Sequence, residues 1–143
     1  MDCTYFDAGR CRSCSFMGLP HVRQVQLKSE QTRELIGEVP DLSWDEPFAG
    51  AESGFRNRAK MVVSGSWKKP SLGILDAEGH GVDLRRCGVI DPAITAALPA
   101  LATFIRIARI APYDVPTRRG ELKHLLVTVN PDGELMVRFV VRS

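Results

Sequence analysis

Four cysteines are the residues whose type and spacing could do chemistry here: Cys3, Cys11, Cys14 and Cys87. The first three follow a C-x7-C-x2-C pattern, and the fourth stands alone far downstream. A C-x2-C pair sets two thiolates on one tight turn, and a tetrahedral sulfur site needs two more. Two disulfides fit a cytosolic chain poorly, because thiols are kept reduced there. Buried free thiols are the other alternative. Against it, the triplet is interleaved with Asp2, Asp7, Arg10 and Arg12, which suit a loop wrapped round a metal better than a core. Spacing leaves zinc and iron open. Zinc sites tend to pair their ligands closely, whereas a tight triplet plus one distant cysteine is more typical of clusters. His21 is a possible stand-in ligand.

These ligands need elements to carry them. The 143 residues predict one soluble globular domain; 44% are hydrophobic and 25% charged. That composition excludes collagen-like, coiled-coil and disordered chains. No apolar run reaches membrane-spanning length and the N-terminus lacks a signal peptide, so the expectation is a cytoplasmic protein with no membrane partner. Charge is unevenly spread. Residues 1–52 hold five bases and nine acids, a balance of −4. Residues 53–143 hold fourteen bases and eight acids, a balance of +6, with no acid between 53 and 75. This asymmetry suggests a polyanionic partner for the second part.

Periodicity predicts a helix over 22–37, with Val25, Thr32, Leu35 and Ile36 on one stripe and Gly37 and Pro40 ending it. An acidic Pro- and Gly-containing loop follows over 40–54. Residues 56–66 then alternate. Ala59, Met61 and Val63 point one way, and Arg56, Arg58 and Lys60 the other, about 7 Å apart. Trp67–Pro70 reads as a turn, 71–75 as a strand, 76–81 as a hairpin loop and 82–85 as the strand delivering Cys87. Asp91-Pro92 starts a helix that Pro99 kinks or splits. A loop over 112–120 leads to a closing hairpin, 122–129 and 135–141, around Asn130-Pro131-Asp132-Gly133. Leu135, Val137, Phe139 and Val141 are its expected buried face. The fold class expected is α+β: an antiparallel sheet with covering helices and an N-terminal cysteine cluster loop. It divides into a loop over 1–20, a helix and acidic linker over 21–52, and a central domain over 53–143.

At these residues the sequence resembles a known family. The carriers are Cys3-x7-Cys11-Arg12-Ser13-Cys14, the run Gly54–Gly65, Leu72-Gly73-Ile74-Leu75, Cys87, and Arg119–Lys123 before the hairpin. Together they resemble the bacterial 23S rRNA (uracil-C5)-methyltransferases of the RlmC type, over essentially the whole chain. The resemblance implies that Cys3, Cys11, Cys14 and Cys87 hold a [4Fe–4S] cluster. It implies RNA contacts from Arg56, Arg58 and Lys60, with Arg118, Arg119 and Lys123 as further candidates, and 23S rRNA as partner of a monomer.

The family reaction transfers a methyl group from S-adenosylmethionine to uracil C5, after a cysteine thiolate attacks C6 of a flipped base. Its cofactor loop and its nucleophile follow this region, and neither motif occurs in these residues. The expectation is an enzyme for the parent family, no catalytic residue within 1–143, and no activity from this chain alone. In family members the 22–37 helix packs near the cofactor domain, so its apolar face is expected exposed. An alternative is a stand-alone metal-binding RNA module; a small electron-transfer protein ranks last.

Overall fold

The computed structural model describes residues 1–142. Its elements are α1 (Thr4–Asp7), α2 (His21–Ile36), β1 (Arg58–Ser66), β2 (Lys69–Leu75), β3 (Gly81–Asp83), α3 (Pro92–Ile107), β4 (Leu122–Val129) and β5 (Leu135–Val141). The strands form one antiparallel sheet in the order β3-β2-β1-β4-β5. The α+β expectation holds.

Alternation in β1 sets which face is buried. Ala59, Met61 and Val63 are at most 4% exposed, while Arg58 and Lys60 project from the opposite face. Leu72 of β2 and Leu125 and Val127 of β4 continue the buried layer, and α3 lies on it through Ile94, Leu98, Ala102 and Ile105. Each fully buried Leu or Ile contributes about 1.5–3 kcal/mol over an exposed one.

Local chemistry starts and stops these elements. The Asp91 side chain accepts the Ala93 amide at 2.8 Å, capping α3, with Pro92 in its first turn. Gly37, at φ +69°, ends α2. Asn130 closes the β4–β5 turn by accepting the Glu134 amide at 2.8 Å.

Several expected details differ. Pro99 does not split α3, which runs unbroken; the proline is exposed, so its missing donor faces solvent. The β1–β2 connection is tighter than a four-residue turn: Ser66 pairs with Lys69, and Pro70 is a buried strand residue. The expected buried face of β5 is only half so. Val137 and Phe139 pack on the core, but Leu135 and Val141 are 36% and 53% exposed because β5 is an edge strand. The N-terminal cysteine segment includes one helical turn, α1. None of the residues of α2 is buried, and Leu35 is 87% exposed, as expected for an unpartnered apolar stripe.

Candidate functional site

The four cysteines arrive from three directions. Cys3 precedes α1, and its carbonyl accepts the amides of Phe6 and Asp7 at 3.0 Å, which turns the chain at once. The Tyr5 carbonyl accepts the Cys11 amide at 3.1 Å, bringing the chain back beside its start. Cys14 opens a turn in which its carbonyl accepts the Met17 amide. Cys87 follows β3, its amide bonded to the Leu84 carbonyl at 3.0 Å. The segment before it is stiffened by Arg85, whose Nε donates to both Asp83 carboxylate oxygens at 3.0 and 2.9 Å.

Two ties fasten the N-terminal segment to the sheet. The Tyr5 hydroxyl accepts the Arg86 amide at 3.3 Å, and the terminal ammonium lies 2.8 Å from Glu52. That ion pair raises the pKa of the ammonium and lowers that of the carboxylate. A backbone run, Gly54 N–H to Gly88 O, Arg56 N–H to Val89 O and Asp91 N–H to Arg56 O, lays 54–56 beside 88–91. Arg56 therefore stands beside Val89–Asp91, just past Cys87, ahead of β1 rather than within it.

All four cysteines line one cavity of about 110 Å³, together with Met1, Tyr5, Phe6 and Met17. All four are part-buried and none is in a disulfide, so two-disulfide pairing is not the arrangement here. Burial pushes the Cys14 thiol pKa up, the Cys87, Cys11 and Cys3 thiolates push it further, and Arg56 opposes them. Such a cage resists holding several bare thiolates, and a bound cation removes that resistance.

Four thiols lining one cavity are a donor set that both zinc and an iron–sulfur cluster accept. Among the described residues, Asp76, Glu78 and His80 are the one set of three His, Cys, Asp or Glu side chains with ligand atoms within 4.8 Å of one another. Asp76, Glu78 and His80 sit on an exposed turn in which the Asp76 carboxylate already accepts the Glu78 and His80 amides at 3.1 and 2.7 Å. His21 faces Glu52 and is absent from the lining of the four-cysteine cavity. It lines a groove of about 780 Å³ between α2 and the 44–56 segment, which shares Cys14 and Met17 with the cysteine cavity, with Nδ1 3.9 Å from Glu52.

The six candidate RNA contacts divide into two groups. Arg56, Arg58 and Lys60 line the rim of the cysteine cavity. Arg118, Arg119 and Lys123 stand at the other end of β4: Arg58 pairs with Thr128, six residues or about 20 Å along the strand from Leu122. The Lys123 ammonium lies 5.0 Å from the centre of the Tyr113 ring.

Register adds a cation that sequence reasoning did not select. Lys60 lies opposite Leu126, and Leu126 opposite Arg138, so Arg138 shares the open face with Arg58 and Lys60. The alternation of β5 carried that signal. Tyr5 was also missed, because no local pattern shows that its hydroxyl reaches Arg86.

No protein-family model matches the chain. Over its whole length it is 46% identical to 23S rRNA (uracil(747)-C(5))-methyltransferase RlmC of Cronobacter sakazakii. It is 44% identical to the proteins of the same name from an Enterobacter species and Escherichia coli. The chain spans 38% of the length of these relatives. In fold it is similar to the solved tRNA (uracil-54, C5)-methyltransferase of Pyrococcus abyssi in complex with S-adenosyl-L-homocysteine. The TM-score is 0.72 at 22% identity, over 93% of this chain and 32% of that one. The family resemblance read from the sequence therefore runs the full length of the chain, and the α+β fold recurs in a uracil methyltransferase.

Proposed function

We propose that residues 1–143 form the iron–sulfur-bearing, RNA-contacting portion of an S-adenosylmethionine-dependent methyltransferase that makes 5-methyluridine in 23S rRNA. The observation that carries this reading is the convergence of Cys3, Cys11, Cys14 and Cys87 on one cavity, in a chain similar end to end to RlmC-type relatives. The all-thiol donor set, a close triplet plus one distant cysteine, suits a [4Fe–4S] cluster, in which each cysteine ligates a different iron. The cluster would join the 1–20 segment to the end of β3 at four points. Arg56, Arg58 and Lys60 on its rim, with Arg138 beyond, offer cations to phosphates near the cluster. Arg118, Arg119 and Lys123 form a separate set.

Residues 1–20 are assigned to the cluster, 21–52 to the helix and acidic linker, and 53–143 to the RNA-contacting sheet. With all four cysteines used as ligands, no thiol in 1–143 is left to attack uracil C6. Methyl transfer belongs to the whole enzyme, and residues 1–143 by themselves are expected to show none. Anaerobic purification tests the reading. A brown protein with about four irons per chain is expected; a colourless protein holding a single zinc ion would overturn the cluster assignment.

A further inference from the structure

The turns at the two ends of the sheet differ in charge, although Arg56 and Arg58 also stand at the β1 start. At the β1 start, the turns 76–80 and 130–134 carry Asp76, Glu78, Asp132 and Glu134 and no lysine or arginine. At the β1 end, the Trp67-Lys68 turn meets the C-terminus of α3 and the loop entering β4. The Arg109 guanidinium lies 5.7 Å from the centre of the Trp67 ring, and the Lys68 ammonium 5.4 Å from it. Lys69 follows in β2. Lys68, Lys69, Arg109, Arg118 and Arg119 are all exposed, and none makes an ion pair among the described residues.

A second observation is independent of charge. Asp41, Arg109 and Arg118 are the non-glycine residues with positive φ among the described residues, so two of the three are arginines at this end. Arg109 has φ +53° and Arg118 φ +55°, a left-handed conformation that side chains with a Cβ rarely adopt. At Arg109 this conformation ends α3, since the next amide, of Ile110, reaches back to the Ile105 carbonyl at 3.1 Å. That helix end leaves the Arg109 guanidinium over the Trp67 indole. Arg118 is held by its carbonyl, which accepts from the Arg142 guanidinium at 2.7 Å.

We propose that the Trp67–Arg109 corner is a second RNA contact, remote from the cysteine cavity, that takes an unpaired base beside Trp67 and its flanking phosphates on Lys68, Lys69 and Arg109. An indole supplies a π-face for any base, and cations beside it supply the phosphate contacts. The corner lies about 20 Å along the sheet from the Arg58 end, so the two sites grip different nucleotides. This assignment rests on the RNA-contacting reading above.

The test uses the 143-residue chain and a 23S rRNA hairpin transcript with an unpaired loop. In a Trp44→Phe background, Trp67 is the one remaining tryptophan, and RNA is expected to quench its emission. Trp67→Ala should weaken binding at least about fivefold, the lower bound for one stacked base, and Trp67→Phe should restore most of it. Lys68→Gln/Lys69→Gln should reduce the slope of log K against log salt by about 0.7 for each phosphate no longer neutralised. Unchanged emission together with wild-type affinity of all three variants would overturn the corner while leaving RNA binding elsewhere intact. Equal quenching by poly-glutamate would also overturn it, since that marks plain anion attraction. Wild-type chain that binds no RNA at all would overturn the RNA-contacting reading and this site with it. Circular dichroism checks that each variant is folded, and the lysine pair, outside the core, keeps the test decisive if Trp67→Ala is not.

Discussion

His124 sits on β4 between Val62 and Val140, on the open face with Lys60. Burial holds its pKa below the usual 6.5, and repulsion from Lys60 and Lys123 lowers it further. Below pH 6.5 the unfolded chain therefore takes up a proton that the folded chain still refuses. Stability is expected to fall as pH drops from 6.5 to the lowered folded value. Denaturant titrations across that window check this, and His124→Gln should flatten the dependence. Tyr5 makes a second prediction at this scale. Tyr5→Phe removes the hydroxyl that accepts the Arg86 amide, at a cost of about 0.5–1.5 kcal/mol. Its expected signature is faster proteolysis near the N-terminus with little change in the sheet. Cys87→Ser should leave three thiolates and lose most of the bound iron, read by iron content and visible absorbance.

Elements differ in how firmly they are held. The α3 helix contributes Ile94, Leu98 and Ile105, each fully buried, whereas α2 buries none of its residues. Hydrogen exchange is therefore expected to be much faster in α2 than in α3, and comparable rates would contradict the difference in packing. Leu98→Ala should destabilise the fold by about 2–5 kcal/mol in denaturant titrations. On β2, a Cβ at Gly73 would overlap the Val82 carbonyl oxygen of β3. Gly73→Ala should therefore push β3 away at about 1–3 kcal/mol. Because β3 leads to Cys87, the same variant should also hold less iron. Iron content measured beside stability checks that link.

For the molecule as a whole, the sheet and α3 share one buried core, and the cysteine segment rests on its edge through Met1, Cys14 and Cys87. Metal removal is expected to release residues 1–20 to protease while leaving the circular dichroism of the sheet in place. Loss of the whole fold on chelation would mean that the core depends on the metal. The −4 and +6 halves read from the sequence became something more specific in three dimensions. Cations gather on the cavity rim and at the β1 end, and the acidic turns share the β1 start with the rim. No helix among the described residues is long and apolar enough to cross a membrane.

Much of this was legible in the residues alone, wherever the determining interaction is local. Alternation in β1 fixed its buried face, Asp91-Pro92 its helix start, and Asn130–Gly133 its hairpin, because each depends on backbone geometry within a few residues. The cysteine pattern likewise marked out a candidate ligand set. Only tertiary structure decided that Cys87 joins the other three, that His21 turns to Glu52, and that the six candidate cations split into two sites. It also brought Trp67 under Arg109, two residues of no shared motif. These are contacts between segments far apart in sequence, set by strand order and register. A one-dimensional pattern carries no distance for them until the sheet has formed.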